Sequence, residues 1–316
     1  MPNKPKISVI TCTYNAGNQI KSLLASILYQ SEQSFEIIFC DGGSSDNTLQ
    51  IIKSYMSTDS RIKLIHNEKK LPEGTGFGKS QAFSKSTGEI VLFIDQDNIL
   101  QSPNIFKQAI SIFKKNPSAL GLLCGLRTDS KDSKVVRYVS LVGTDSFFAY
   151  RSIDFLRNLH NLPNPFQLST NNMPLTGGNC FFYSSKTLKR IGGYSQDVLV
   201  IEKLIKQKIN KLYIINNATK HYAESSIYAL IKKKFFWASK FKDQNKEQFS
   251  YLPKTKVERK AFLKNLIFNL TIIPNLYYSL KIFKNKKDPV IFLFPIISFL
   301  NTKAYLLNFI LSIATD

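Results

Sequence analysis

Acidic residues are scarce in this chain: 22 Asp and Glu face 43 Lys and Arg, a formal net charge of +21. A surplus of that size admits nucleic acid, anionic lipid or phosphorylated ligands as partners. Nucleic-acid modules interleave aromatic and basic residues on a known motif, and no such module is present. Cysteine is also sparse. Cys12, Cys40, Cys124 and Cys180 are widely spaced and form no CxxC pair, which argues against a zinc site and for reduced thiols in the cytosol. The amino terminus runs straight into a strand-like segment without the apolar core of a signal peptide, so the folded part that follows is expected to stay in the cytosol. Of the three histidines, His66 and His160 carry no motif. No internal repeat is evident.

What is present supports a folded α/β chain. Hydrophobic residues make up 43%, enough to bury a sizeable core across 316 residues. Ile7 to Thr11, Phe35 to Cys40, Arg61 to His66 and Glu89 to Ile94 read as short strands. Between them lie helical patterns over Gln19 to Gln30, Thr48 to Met56 and Lys79 to Lys85, with Asp46 as the expected N-cap of the second. This alternation predicts a parallel sheet with helices on both faces, and ligands in such sheets lie beyond the carboxyl ends of the strands. Asp41 and the pair Asp95 and Asp97 follow strands directly, so they share that edge.

Asp95-Gln96-Asp97 places two carboxylates on alternate positions after a strand. Such a pair can bind a hard divalent cation that clamps a diphosphate, although a solvated turn has the same sequence. No Gly-rich phosphate loop with its lysine follows the first strand, which ranks a nucleotidyltransferase last.

The triplet has company. Ile7-Ser8-Val9-Ile10-Thr11-Cys12-Thr13-Tyr14-Asn15, then Asp41-Gly42-Gly43-Ser44-Ser45-Asp46-Asn47-Thr48, then Gly88-Glu89 and Phe93-Ile94-Asp95-Gln96-Asp97 come in order. The set resembles the family 2 glycosyltransferases of GT-A fold, the Rossmann-like fold of nucleotide-diphospho-sugar transferases, over about residues 6–225. The resemblance implies a donor site in which Tyr14 flanks the nucleobase with Thr11 nearby and Asp41 hydrogen-bonds the base. Lys79 would face the diphosphate, Asp95 would approach the ribose, and Asp97 would ligate Mg2+ or Mn2+. Gly177, Gly178 and Asn179 look like the acceptor-side segment. His221 resembles a histidine that ligates the metal or a phosphate. The family's acidic pair, whose aspartate serves as general base, is altered here. Counting back from His221 puts the base at Asp197; counting forward from Gly192-Gly193 makes Glu202 its rival.

The charge surplus is uneven. The first hundred residues are nearly balanced, whereas 203–287 hold most of the excess, including Lys232-Lys233-Lys234 and the run 284–287. Set beside apolar segments, such a stretch points to an anionic membrane surface, with a chain-wide bias toward Lys, Ile and Asn as the alternative. Phe262 to Phe283 is apolar but broken by Lys264, Asn269 and Pro274, and Val290 to Ile313 is long enough to span a bilayer. The expected organisation is a transferase domain over 1–225 and a basic, apolar helical region over 226–316. That region would sit on the cytoplasmic face of a membrane, peripheral or monotopic, or with one or two membrane segments. The expected activity is inverting transfer from a UDP- or GDP-sugar to a glycan, a lipid-linked glycan or a polyprenyl phosphate. A non-catalytic nucleotide-sugar-binding membrane protein is the alternative from another class. The oligomeric state is not legible in the sequence.

Overall fold

The computed structural model describes residues 5–68, 76–142, 146–151, 163–174, 179–222, 226–245, 253 and 255–314. Ile7–Thr13 (β1) and Phe35–Asp41 (β2) are buried along their whole length. Their near-continuous apolar sequences suit central strands covered on both faces. β1 pairs in parallel with β2, Cys12 opposite Cys40, and with Ile90–Phe93 (β4), Ile10 opposite Phe93; β2 pairs in parallel with Ile62–His66 (β3). Helices Ile20–Leu28 (α1), Thr48–Met56 (α2) and Gly76–Lys85 (α3) follow β1, β2 and β3 in the expected places. The N-cap of α2 is Asn47 and not the expected Asp46, which lies one residue earlier and accepts from the backbone N–H of Thr48 at 3.0 Å. One apolar core packs α1, α2 and Ile105–Lys115 (α4) against the sheet through Leu24, Ile52, Phe106, Val9, Phe39 and Leu92.

Beyond Asp97 the sheet departs from the all-parallel expectation. The remaining strands are Asn98–Leu100 (β5), Gly121–Leu126 (β6), Phe166–Gln167 (β7), Phe181–Ser184 (β8) and Lys211–His221 (β9). The order is β3-β2-β1-β4-β8-β6-β9-β5, with β7 on β9. β8 runs antiparallel to both β4 and β6, and β5 antiparallel to β9. A short apolar run such as Phe181-Phe182-Tyr183 identifies a strand but not its direction, and an antiparallel partner needs no crossover helix. β8 leads directly into Ser185–Arg190 (α6), where the Ser184 hydroxyl accepts from the N–H of Thr187. Asp197–Lys206 (α7) then precedes β9.

At the strand starts, away from the acidic edge, Glu36 is buried inside β2. Its carboxylate accepts from the Ser8 hydroxyl (2.6 Å), the Thr87 N–H (2.7 Å) and hydroxyl (2.8 Å), and the Lys63 ammonium (2.7 Å). Burial opposes ionisation, but these donors outweigh it and hold the carboxyl below its ordinary value.

The chain divides into two compact units. The first comprises 1–127, 162–170 and 176–222; the second comprises 128–161, 171–175 and 223–316. In the second unit, Lys134–Val142 (α5) packs through Val135 and Leu141 against Val290, Phe294 and Ile297. Arg137 clamps Asp288 with two bonds of 2.8 and 2.5 Å. The other helices are Ile227–Asn245 (α8), Lys256–Leu270 (α9), Ile272–Lys286 (α10) and Phe294–Ala314 (α11). The break between α9 and α10 falls at Thr271, which is extended, and not at Pro274. Proline is tolerated in a first helical turn, where the N–H it lacks has no partner to lose. Among the described residues one stretch, Pro289–Leu307, is long and apolar enough to cross a membrane, and more than half of it is buried inside the fold. The bent pair α9–α10 passes the same test as a unit.

Candidate active site

Because β1, β2 and β4 run parallel, their last residues lie on one rim of the sheet, and the loops there are laced together. The Asn15 side chain accepts from the N–H of Ser45 (2.9 Å), while its own N–H donates to the Ser44 hydroxyl (2.9 Å). The Gly17 N–H donates to Asp46 (2.9 Å) and the Ala16 N–H to the Thr48 hydroxyl (2.7 Å). From the other side Gln96 grips the Tyr14 backbone, its amide accepting from the N–H at 2.9 Å and donating to the carbonyl at 3.2 Å. Tyr14 is thus presented, 39% exposed, between two fixed loops.

Asp41 is buried and fully engaged. One oxygen accepts from the hydroxyls of Thr13 (2.9 Å) and Ser44 (2.5 Å), the other from the N–H groups of Gly43 (2.9 Å) and Ser44 (2.8 Å). A carboxylate has about four acceptor positions, so a direct contact with a base would displace one of these donors. Thr11 is enclosed in β1 with no solvent-facing surface, and its hydroxyl has no hydrogen-bond partner among the described residues.

A charged cluster lies beside β4. The Lys79 ammonium, from the first half of α3, is 2.9 Å from Asp95 and 3.7 Å from Asp197. Burial works to lower its pKa, yet Asp197 and Asp95 outweigh it and hold the lysine charged well above the ordinary range. Burial comes first in pushing the Asp95 carboxyl up, with Lys79 opposing and Asp97 and Asp197 adding to the rise. Gly76 lets α3 start here, since a Cβ would lie 1.7 Å from the Ser195 carbonyl oxygen. Asp197 is the first residue of α7, where the helix dipole favours a negative charge. Gly192 and Gly193 (φ 88° and 89°) make a left-handed turn that glycine enters without strain. The turn brings Tyr194 back onto Phe93, ring centroids 4.0 Å apart, and the Tyr194 hydroxyl donates to Asp197. Burial, reinforced by Asp197, raises the Tyr194 phenol well above its ordinary value and keeps it a donor. Glu202 lies five residues further along α7, turned about 140° from Asp197 on the helical wheel.

A second grouping forms where β5 meets β9. The ladder puts Asn98 opposite His221, and the Tyr222 N–H donates to the Asp97 carbonyl at 2.7 Å. His221 Nε2 therefore sits 3.1 Å from one oxygen of Asp97. Asn98, completely buried, donates to the other oxygen (3.1 Å) and to Asn179 (2.6 Å), joining the metal candidate to the acceptor-side candidate. Among the described residues no three His, Cys, Asp or Glu side chains converge as a metal cluster. A carboxylate just before β5 and an imidazole at the end of β9 do fit Mg2+ or Mn2+, which take one or two protein ligands and complete their shell with phosphate and water oxygens.

The structure thus gathers Lys79, Asp95 and Asp197 in one cluster and Asp97, His221 and Asn179 in the next. Gly177 and Gly178 lie outside the described residues. Sequence reasoning gave no role to Gln96, Asn98 or Tyr194, which hold these groups. Their positions, inside or beside motifs already singled out, were the available signal.

The chain matches the family described as Glycosyl transferase family 2 over residues 8–191. Among curated relatives, the glycosyltransferase GlyG of Streptococcus pneumoniae serotype 4 is 35% identical over 30% of this chain and 31% of its own. The UDP-Glc:alpha-D-GlcNAc-diphosphoundecaprenol beta-1,3-glucosyltransferase WfgD of Escherichia coli is 32% identical over 35% and 43%. The chain spans less than half the length of these relatives. The mannosyltransferase PcManGT of Pyrobaculum calidifontis, solved with GDP-Man and Mn2+, superposes with a TM-score of 0.56. That alignment covers 98% of this chain and 88% of the other at 14% identity, and the shared architecture is the GT-A fold.

Proposed function

The chain belongs to glycosyl transferase family 2, and from that premise we propose inverting transfer of a sugar from a UDP- or GDP-sugar to a membrane-associated acceptor. The acceptor class is a glycan, a lipid-linked glycan or a polyprenyl phosphate. The observation that carries the reading is the double ion pair of Lys79, which links the first aspartate of the triplet to Asp197, the candidate base.

In this reading Tyr14 flanks the nucleobase, Asp41 supports the loop beside it, and Thr11 lies in the strand beneath. Lys79 supplies positive charge near the diphosphate and Asp95 approaches the ribose. Asp97 and His221 would hold a Mg2+ or Mn2+ ion, which when bound neutralises charge on the departing diphosphate. Asp197 accepts the proton of a hydroxyl acceptor as its oxygen attacks the anomeric carbon from the face opposite the leaving group. Tyr194 orients that carboxylate. A phosphate acceptor is already ionised and dispenses with this proton transfer. Glu202 is set aside as base because it lies on another face of α7. Residues 1–225 carry this chemistry in the reading, with Gly177, Gly178 and Asn179 on the acceptor side; residues 226–316 provide attachment to the cytoplasmic face of a membrane.

The test is transfer from radiolabelled UDP- and GDP-sugars into membrane acceptors, followed by solvent extraction. The expected result is a labelled product, in the organic phase for a lipid-linked acceptor and in the aqueous phase for a glycan, lost in Asp97→Asn and, where the acceptor is a hydroxyl, in Asp197→Asn. Donor binding without turnover by the wild type would instead favour a non-catalytic nucleotide-sugar-binding protein.

A further inference from the structure

Helices α9 and α10 are inside out by the standards of a protein in water. The fully buried residues of α9 are Asn265 and Asn269; those of α10 are Asn275, Ser279 and Ile282. Most of their polar atoms are satisfied internally, the Asn275 side-chain oxygen being the exception among the described residues. Asn265 donates to the carbonyls of Ser146 (3.0 Å) and Phe147 (2.9 Å), and Asn269 to Ser146 (2.8 Å). Ser298 on α11 donates to Asn269 (2.8 Å), and Ser279 to the Ile291 carbonyl (3.1 Å). The outward face carries the apolar side chains: Ile267 is 57% exposed, Ile272 70%, Ile273 82% and Tyr277 72%. Phe262, Leu266, Phe268, Tyr278 and Ile282 also pack inward, but a run of large exposed apolar side chains opposite buried, hydrogen-bonded asparagine and serine is the packing of helices solvated by hydrocarbon.

Charge marks how far that solvent reaches. No charged residue occurs from 265 to 280. On either side stand exposed cations: Lys256, Arg259, Lys260 and Lys264 before, and Lys281, Lys284, Lys286 and Lys287 after. The two helices meet at Thr271 with their axes bent by 86°. From Lys264 to the bend is about 10 Å of helix and from the bend to Lys281 about 15 Å. Arms splayed at such an angle reach a depth of about 7–11 Å, short of the ~15 Å half-thickness of a bilayer core. Apolar apex, basic shoulders and this depth match the immersion of an interfacial helix held by anionic headgroups.

We propose that the α9–α10 elbow dips into one leaflet of a membrane bearing anionic lipid, apex at Ile272 and Ile273, and does not cross it. The proposal deepens the membrane-attachment part of the proposed function and is independent of the donor chemistry.

The full chain is tested on phosphatidylcholine vesicles with and without phosphatidylglycerol. Binding is expected to require phosphatidylglycerol and to fall about tenfold or more in an Ile273→Asp, Leu276→Asp double variant. A fluorophore on Ile273→Cys is expected to be quenched by lipids labelled on their acyl chains, and one on Lys264→Cys by lipids labelled at the headgroup. Undiminished binding by the double variant, or quenching at 273 from the far leaflet, overturns the proposal. So does a stable dimer that the double substitution dissolves, because a second copy would then cover this face. Donor hydrolysis without vesicles is measured in parallel. Retained hydrolysis with no wild-type vesicle binding removes the elbow alone, whereas vesicle binding with no hydrolysis removes the transferase reading alone.

Discussion

Lys79 carries its charge where water hardly reaches, and two carboxylates hold it there. Breaking such a pair leaves uncompensated buried charge, so Lys79→Ala is expected to lower unfolding stability by about 3 kcal/mol in addition to impairing turnover; urea denaturation measures it. Gln96→Ala should act more narrowly. It frees the Tyr14 backbone, so KM for the donor should rise several-fold with kcat little changed, the pattern of lost ground-state binding. The aspartates and Lys79 were legible because each occupies its place in an ordered run of motifs. Gln96 was not, since a glutamine between two aspartates shows its purpose only when the strand–turn geometry brings Tyr14 against it. Asp41 shows the converse: the motif marked the residue, while its four internal hydrogen bonds became visible only in the fold.

Elements decide which of these residues meet. Asp97 and His221 are far apart in sequence, and the β5–β9 ladder alone puts them 3.1 Å apart. That register could not be read beforehand, because a three-residue strand carries almost no periodic signal. The first half of the sheet was legible from its regular strand–helix alternation; the direction of β8 was not, because no crossover helix announces an antiparallel partner. At the opposite edge, Glu36 ties β1, β2, β3 and the approach to β4 through one buried carboxylate. Its pKa is depressed on folding, so the stability it contributes is full above about its ordinary 4.5 and drains away as the pH falls through the lower folded value. Glu36→Gln should therefore cost about 2 kcal/mol near neutral pH, and the gap to wild type should close on acidification in a pH series of thermal melts.

At the scale of the whole molecule, charge is unevenly distributed along the sequence, and the packing sorts the chain into two discontinuous units. The sequence did not show that Lys134–Val142 packs with the C-terminal helices, because that packing rests on long-range contacts such as Arg137 with Asp288. Nor did it show that Asn265, Asn269, Asn275 and Ser279 turn inward, since an apolar helix broken by asparagines reads equally well with either face out. The central claim is that the acidic rim of the first unit holds a cation and, through it, a sugar diphosphate. Calorimetric titration of UDP- and GDP-sugars into the full chain, with and without Mn2+, tests this most directly. The account expects one nucleotide class to bind, at least tenfold more tightly with Mn2+, and that gain to vanish in Asp97→Asn. Binding of equal strength with and without the metal, or unchanged by the substitution, would contradict it.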